Sequence, residues 1–326
     1  MAANIARFIP DRFTTLLVLA VVLATLLPVH GNGVPVMEWV TNIGIAMLFF
    51  LHGSRLSRDA IIAGAMHWRL HIAIFSTTFI FFPLIGIALR PVLEPMVTPG
   101  LYLGILYLCV LPATVQSAIS FTSIARGNIA AAVCSASASS IIGIFVTPLL
   151  IALLLSEFSS DLPPISFEAI WKIMLQLLFP FALGHFMRPW LGNFLLKNAA
   201  ILKFFDQGII ILVVYAAFSH AVNEGLWHET PVHALIMVTL ISCLILAIAL
   251  GSTLLLGKIF KFDIKDRITL MFCGSKKSLA SGLPMAQVIF AGSPIGAIIL
   301  PLMIFHQIQL MVCAVIATRF GQRTGD

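Results

Sequence analysis

Residues 272–285 read "FCGSKKSLASGLPM". Lys276 and Lys277 follow an apolar run at 268–273 and precede another. Charges there are expensive if the segment lies in lipid. The 326 residues are 60% hydrophobic and only 10% charged, whereas a soluble domain averages about 25% charged. That balance is the signature of a polytopic membrane protein. The cysteines at 109, 134, 243, 273 and 313 all fall in apolar runs. They are read as buried thiols, and no zinc spacing or other metal site is found.

Outward from 272–285, apolar stretches of spanning length recur along the chain. They lie at 13–29, 36–52, 68–89, 99–124, 129–155, 168–188, 205–222, 232–257, 268–291 and 294–318. The expected fold is therefore all-α, with ten transmembrane helices. Several spans carry breakers: Pro83 and Gly86 in the third, Pro112 in the fourth, Pro180 and Gly184 in the sixth, Gly274, Gly282 and Pro284 in the ninth. Arg7 and Arg12 before the first span give it the look of a secretion signal. It lacks a small-x-small cleavage site, so it is kept as an uncleaved helix.

The basic residues alternate between the ends of these spans. Arg7, Arg12, Arg55, Arg58, Arg69, Arg126, Arg188, Lys197, Lys203, Lys258, Lys261, Lys265, Arg267, Arg319 and Arg323 share one face. The other face has Arg90, with Lys172 near its edge, and the acids Glu38, Glu94, Glu157, Asp161, Glu168, Glu224 and Glu229. The positive-inside rule then places both termini in the cytoplasm. The net charge of +6 is thus a topology signal facing an anionic lipid leaflet, and no nucleic-acid partner is implied. Short loops and absent tails suggest a bacterial inner membrane.

Ten spans divide into two sets of five, about 1–160 and 161–326, with very short links between spans 4 and 5 and between spans 9 and 10 (291–294). With odd-numbered halves the second must be inverted, the plan of many secondary transporters. One transmembrane unit over 1–326 is expected, with no soluble domain. In that plan broken helices occupy matching positions and form the site, here spans 4 and 9. In span 4, Pro112 removes a backbone donor. Thr114, Gln116, Ser117, Ser120, Thr122 and Ser123 follow it and can satisfy freed backbone groups or a ligand. In span 9, Gly274 and Ser275 precede the lysines, and Ser278, Ser281, Gly282 and Pro284 follow. Half-helix N-termini expose N–H groups that suit anions. Small polar residues also line ordinary helix contacts. Ser135 and Ser139 of span 5 are read as such a seam.

"FFLHGSRLS" (49–57), "SIARGNIAAAV" (123–133), "KKSLASGLPM" (276–285) and "PLMIFHQIQL" (301–310) resemble the bile acid:sodium symporter family. They are closest to its bacterial SBF-like branch, which includes relatives of solute carrier family 10 member 7. The resemblance covers nearly the whole chain. It implies two inverted repeats, a panel domain moving against a core domain, and helices 4 and 9 crossing at mid-membrane. It also implies organic-anion substrates, often coupled to sodium.

The chain departs from that family at the sodium sites. Sodium-coupled members place Ser and Asn on helix 4, hydroxyls on helix 5, and Glu and Gln on helix 9. Anchored on Ala-Arg-Gly-Asn at 125–128, the first of these fall on Ala118, Ile119, Ala132 and Ala136. Anchored on Gly274 and Ser278, the others fall on Phe272 and Lys276. None is a sodium ligand, and every Asp and Glu is expected in a loop or at a helix end. The coupling ion is left open between sodium and a proton, and no other cofactor is expected.

Three readings of the lysine pair stand side by side. The cytoplasmic loop extends to Lys277, leaving some fourteen residues before Gly292, short for a span. Or an ammonium takes the place of a sodium ion and locks the crossing. Or a lysine binds an anionic substrate or cycles its proton. Lys276 lies about 12 Å into the span at 1.5 Å per residue. Neighbours on a helix point some 100° apart, so one lysine can serve each of the last two roles. Lys277, which matches the branch motif, is favoured at the crossing. His306 and Gln309 of span 10 lie one turn apart and could face it. His52 is read as interfacial.

The functional expectation is a secondary transporter, symporter-like, for a small organic anion. It works by alternating access around the helix 4/9 crossing. The alternative is a non-transporting membrane regulator of cation homeostasis or envelope assembly. Paired carboxylates, a His-x-x-x-His metal spacing and a Gly-x-Ser-x-Gly elbow are all missing, so no enzyme is expected.

Overall fold

The computed structural model describes residues 12–55, 67–158, 167–290 and 295–323. Arg7, Arg58, Asp161 and the link at 291–294 lie outside the described residues, as do the side chains of Glu157, Glu168, Lys172 and Glu229. Among the described residues all regular structure is helical. In hydrocarbon every backbone N–H and C=O must be satisfied within the chain, and apolar segments answer by forming helices. Six helices among the described residues are long and apolar enough to cross a membrane: Gly33–Arg55, Trp68–Ala88, Ile129–Leu154, Ala199–Asn223, Val232–Ile259 and Ile295–Gly321. Thr15–Leu26 and Pro99–Val110 are shorter and equally apolar. Trp39, Trp68, Trp171, Trp190 and Trp227 are all exposed, as tryptophans of an interfacial belt are. The chain is an integral membrane protein.

Two compact units divide the chain. The first comprises Met1–Leu56, Leu155–Pro231 and Leu283–Ile299. It contains helices α1 (Arg12–Leu26), α2 (Gly33–Arg55), α9 (Phe167–Lys197), α10 (Ala199–Asn223) and the short α11 (Leu226–Glu229). α2 and α9 touch backbone to backbone: a Cβ on Gly53 would strike the Phe181 carbonyl, and one on Gly184 the Phe50 carbonyl. Small residues allow this approach in membranes. α9 therefore runs unbroken through Pro180, Gly184 and Pro189, and Gly184 is a contact glycine where a breaker was expected.

The predicted loop between spans 6 and 7 is also corrected. α9 continues to Lys197 and α10 starts at Ala199, with Asn198 Nδ2 donating to the Phe194 carbonyl at 2.8 Å between them. Arg188, Lys197 and Lys203 thus sit on helices. Hydropathy falls where charges begin, yet backbone bonding continues, because long basic side chains carry their charge to water. Asp206 consequently lies inside α10, where it is buried and paired with Arg55. The expectation that every acid lies in a loop or at a helix end fails there.

The second unit comprises Ser57–Leu154, Val232–Gly282 and Leu300–Asp326. In it α3 (Trp68–Ser76) passes through a π-helical turn (Thr77–Phe81) into α4 (Phe82–Ala88). Next come α5 (Arg90–Leu93), α6 (Pro99–Val110), α7 (Gln116–Ile124), α8 (Ile129–Phe158) and α12 (Val232–Ile259). α13 (Ile264–Gly274), the first turn of α14 (Leu279–Ile289) and most of α15 (Ile295–Gly321) complete it. Leu70, Ile74, Ala118, Ala132, Leu270 and Cys273 form a buried cluster here. Four cysteines are buried, but Cys243 on α12 is exposed, a correction to the uniform reading of the thiols.

The Ala-Arg-Gly-Asn run is a clasp between helix ends. Arg126 takes a left-handed φ of 55°, and a Cβ on Gly127 would lie 2.7 Å from Thr122 and 2.8 Å from Ile268. Asn128 Oδ1 accepts from Ala131 N at 3.1 Å, capping α8, while its Nδ2 donates to Asp266 at 2.8 Å. Arg323 Nη1 and Nη2 donate to the Ala125 and Arg126 carbonyls at 2.6 and 2.9 Å.

Candidate functional site

Two interrupted helix pairs meet in the second unit. α6 stops at Val110 and α7 begins at Gln116, with Pro112 in the gap. α13 stops at Gly274 and α14 begins at Leu279, with both lysines in the gap. The last four carbonyls of a helix lack intrahelical donors, and in lipid they need partners. Four carbonyls at the end of α6 and in the gap after it have them. Cys109 and Leu111 accept from Lys277 Nζ at 2.8 Å each, Val110 accepts from Thr147 at 2.9 Å, and Pro112 accepts from Ser278 N at 2.9 Å. On the other side of the gap, Ala113 N donates to Ser139 Oγ at 3.0 Å. Ser135 Oγ lies 2.7 Å from His71 Nδ1. Both serines of the expected packing seam therefore do more than pack.

Lys277 has a third carbonyl, that of Thr78, at 2.7 Å. That carbonyl is free for a reason written in the sequence. In the π-helical turn Phe82 N donates to Thr77; the next residue, Pro83, has no N–H to offer Thr78. The three donors of the ammonium thus meet three backbone oxygens, and the Phe82 ring lies 4.2 Å away. Lys277 is itself clamped: its N–H donates to Gln309 Oε1 at 2.9 Å, and Gln309 Nε2 donates to its carbonyl at 2.8 Å. His306 Nδ1 stands 2.9 Å from Gln309 Nε2.

Lys276 is held differently. Its ammonium donates to Ser117 Oγ at 3.1 Å and lies 4.3 Å from the Phe121 ring and 5.9 Å from Phe272. Ser117 in turn donates to Thr114 Oγ1 at 2.9 Å. The next helix begins just after the lysines, at Leu279, as the loop reading expects, but both lysines are 0% exposed and are not the open charges that reading implies. Among the described residues no carboxylate reaches ion-pair distance of either.

A central lysine costs roughly 2.5–3.5 kcal/mol to insert. A hydrogen bond to a charged group is worth about 1.5–3 kcal/mol. Three of them offset that cost for Lys277. One, with a cation–π contact of about 0.5–2 kcal/mol, only balances it for Lys276. The two neighbours therefore differ in spare capacity: Lys277 has used every donor, and Lys276 has one protein partner among the described residues.

Thr114, Ser117, Ser275, Lys276, Lys277, Ser278, His306 and Gln309 all belong to this junction or contact one of its members. Ser275 Oγ donates back to Met271 at 2.5 Å, and Ser278 Oγ caps α14, accepting from Ser281 N at 3.2 Å. Gln116 is exposed at the start of α7. Among the expected breakers, Pro112 lies in one gap and Gly274 ends α13, but α14 runs through Gly282 and Pro284. Gly282 serves closeness: a Cβ there would lie 2.6 Å from Leu111 and 2.7 Å from Leu302, and its carbonyl accepts from Tyr107 at 2.6 Å. Sequence reasoning missed Thr78, Phe82, Tyr107, Phe121 and the carbonyls of 109 and 111. Pro83 five residues after Thr78 was the available signal for the first. A separate cavity of about 380 Å³ in the first unit is lined by Glu38, Asn42, His220, Asn223 and Gln287, among others, and by none of the expected site residues.

Similar proteins agree along the whole length. An uncharacterised protein of Pseudomonas aeruginosa is 58% identical over 98% of this chain and 96% of its own. YfeH of Escherichia coli strain K12, whose name describes it as a candidate symporter, is 51% identical over 96% of this chain and 94% of its own. Sodium/bile acid cotransporter 7 of Danio rerio is 27% identical over 96% of this chain and 94% of its own. Residues 11–322 match the SBF-like CPA transporter family, and the chain belongs to that family of transporters.

Proposed function

We propose that the protein is a secondary transporter for a small organic anion, working by alternating access around the junction of the two helix breaks. One observation carries the reading. Lys276 is a buried ammonium with a single hydrogen-bond partner among the described residues, set between broken helices with no carboxylate to neutralise it. Broken helices in membrane proteins line substrate and ion sites, and a buried, unneutralised cation attracts an anion. The junction spans 99–124 and 264–289, the fourth and ninth of ten spans in two inverted halves. On this reading both termini lie in the cytoplasm, as the distribution of basic residues favours, and the membrane is a bacterial inner membrane. The names of the relatives, a candidate symporter and a sodium/bile acid cotransporter, favour ion-coupled movement of an organic anion.

Counterflow in proteoliposomes tests it. Vesicles loaded with a panel of carboxylates, sulfonates and phosphate esters are diluted into trace labelled anion. Accumulation that is lost in Lys276→Met supports the proposal. No accumulation with any member, or accumulation indifferent to that substitution, overturns the assignment of the site. A scaffold protein would behave the second way, because packing alone does not need the charge.

A further inference from the structure

The geometry points to a monovalent-cation site that this chain fills with its own side chain. The socket is the set of carbonyls of Thr78, Cys109 and Leu111, and the Lys277 ammonium is its tethered occupant. Three oxygens lie 2.7, 2.8 and 2.8 Å from one nitrogen. Backbone carbonyls so gathered stand in for the hydration shell of a monovalent ion. The Phe82 ring, 4.2 Å away, adds an aromatic face that suits a cation.

The socket is built from independent local causes. Pro83 withholds a donor from Thr78, and the end of α6 frees the carbonyls of 109 and 111. The occupant is delivered to a fixed point, because Gln309 clamps the Lys277 backbone at both its N–H and its carbonyl. The neighbour lacks all of this: Lys276 rests on one hydroxyl and a ring. A charge that cannot diffuse away holds the two breaks together permanently. Occupancy of this position then does not depend on the salt around the protein. The inference deepens the transport reading by assigning the cation at the junction. For that functional consequence it rests on the reading; the socket itself does not.

The test is thermal unfolding of the purified full chain at fixed pH and ionic strength. Chlorides of sodium, potassium, ammonium and methylammonium are compared with that of N-methylglucamine. Wild type is expected to unfold at one temperature in all of them. Lys277→Ala opens the socket. It should unfold at a lower temperature and recover at least half of the loss, saturably, in one of the small cations. Lys277→Met refills the socket without charge and should show the loss without the recovery. Lys276→Ala should show no cation dependence.

A sodium-specific rise of the wild type overturns the inference. So does a folded Lys277→Ala that is indifferent to every cation. If that variant folds only when prepared in ammonium or methylammonium, the socket is supported; if it fails to fold in every salt, the inference falls. Anion counterflow is run on the same wild-type preparation. Its failure sinks the transport reading and leaves the unfolding result standing.

Discussion

Each unit of this protein holds a cation in a fixed place, and the two do so by different means. In the first, the Arg55 guanidinium meets the Asp206 carboxylate, with side-chain exposures of 31% and 10%. In the second, the Lys277 ammonium donates to backbone carbonyls beside the Phe82 ring and is not exposed at all. The first solution uses a counter-charge, and its arginine is near enough to water to rehydrate. The second uses helix ends, which are rigid, uncharged and unable to leave. A counter-charge neutralises a site. A ring of carbonyls solvates a charge without cancelling it.

Substitutions can break that contrast. The largest stability loss is expected for Lys277→Met, about 3–5 kcal/mol, because three buried carbonyls lose their partner at once. Denaturant unfolding in detergent measures it, and a loss under 1 kcal/mol would remove the distinction between the two cations. Gln309→Leu should follow, at about 2–3 kcal/mol, since it strands a buried N–H and a buried carbonyl of Lys277. Its unfolding should also become less cooperative around 275–278, which hydrogen exchange of those amides reads directly.

Asp206→Asn is expected to cost only about 1–2 kcal/mol, because Arg55 is one-third exposed and can turn toward water. A loss as large as that of Lys277→Met would mean the pair is effectively dry. The smallest effect on stability belongs to Lys276→Met, within about 1 kcal/mol of wild type, since a weakly held buried charge gives way to a hydrophobe of similar length. The same variant should lose anion counterflow. Stability and transport thus separate across two adjacent residues, and a variant series in which they move together would contradict the division of roles.

Much of the chain is legible from its letters. Apolar runs long enough to cross a membrane mark the helices, because lipid leaves the backbone no other way to bond itself. The two interruptions are legible too. Pro112 announces one, and Gly274-Ser275 with two charges announces the other. The false breakers show the limit of such signals. Gly184 and Gly282 carry the same letter as a hinge residue, yet one lets two backbones touch and the other makes room for Leu111 and Leu302. The extension of α9 and α10 through Arg188, Lys197 and Lys203 went unread for a similar reason: hydropathy records where apolar surface ends, and helical bonding continues past that point.

The letters alone mark a membrane protein with two lysines in an interrupted apolar segment, far along the chain from any obvious carboxylate. What separates the lysines comes from packing. The partners of Lys277 are carbonyls of residues 78, 109 and 111, and a carbonyl has no letter of its own. Its availability depends on Pro83, on where α6 stops and on which helix end lies across from it. Those are properties of packing, and they turn two identical neighbours into a filled socket and an anchor with donors to spare.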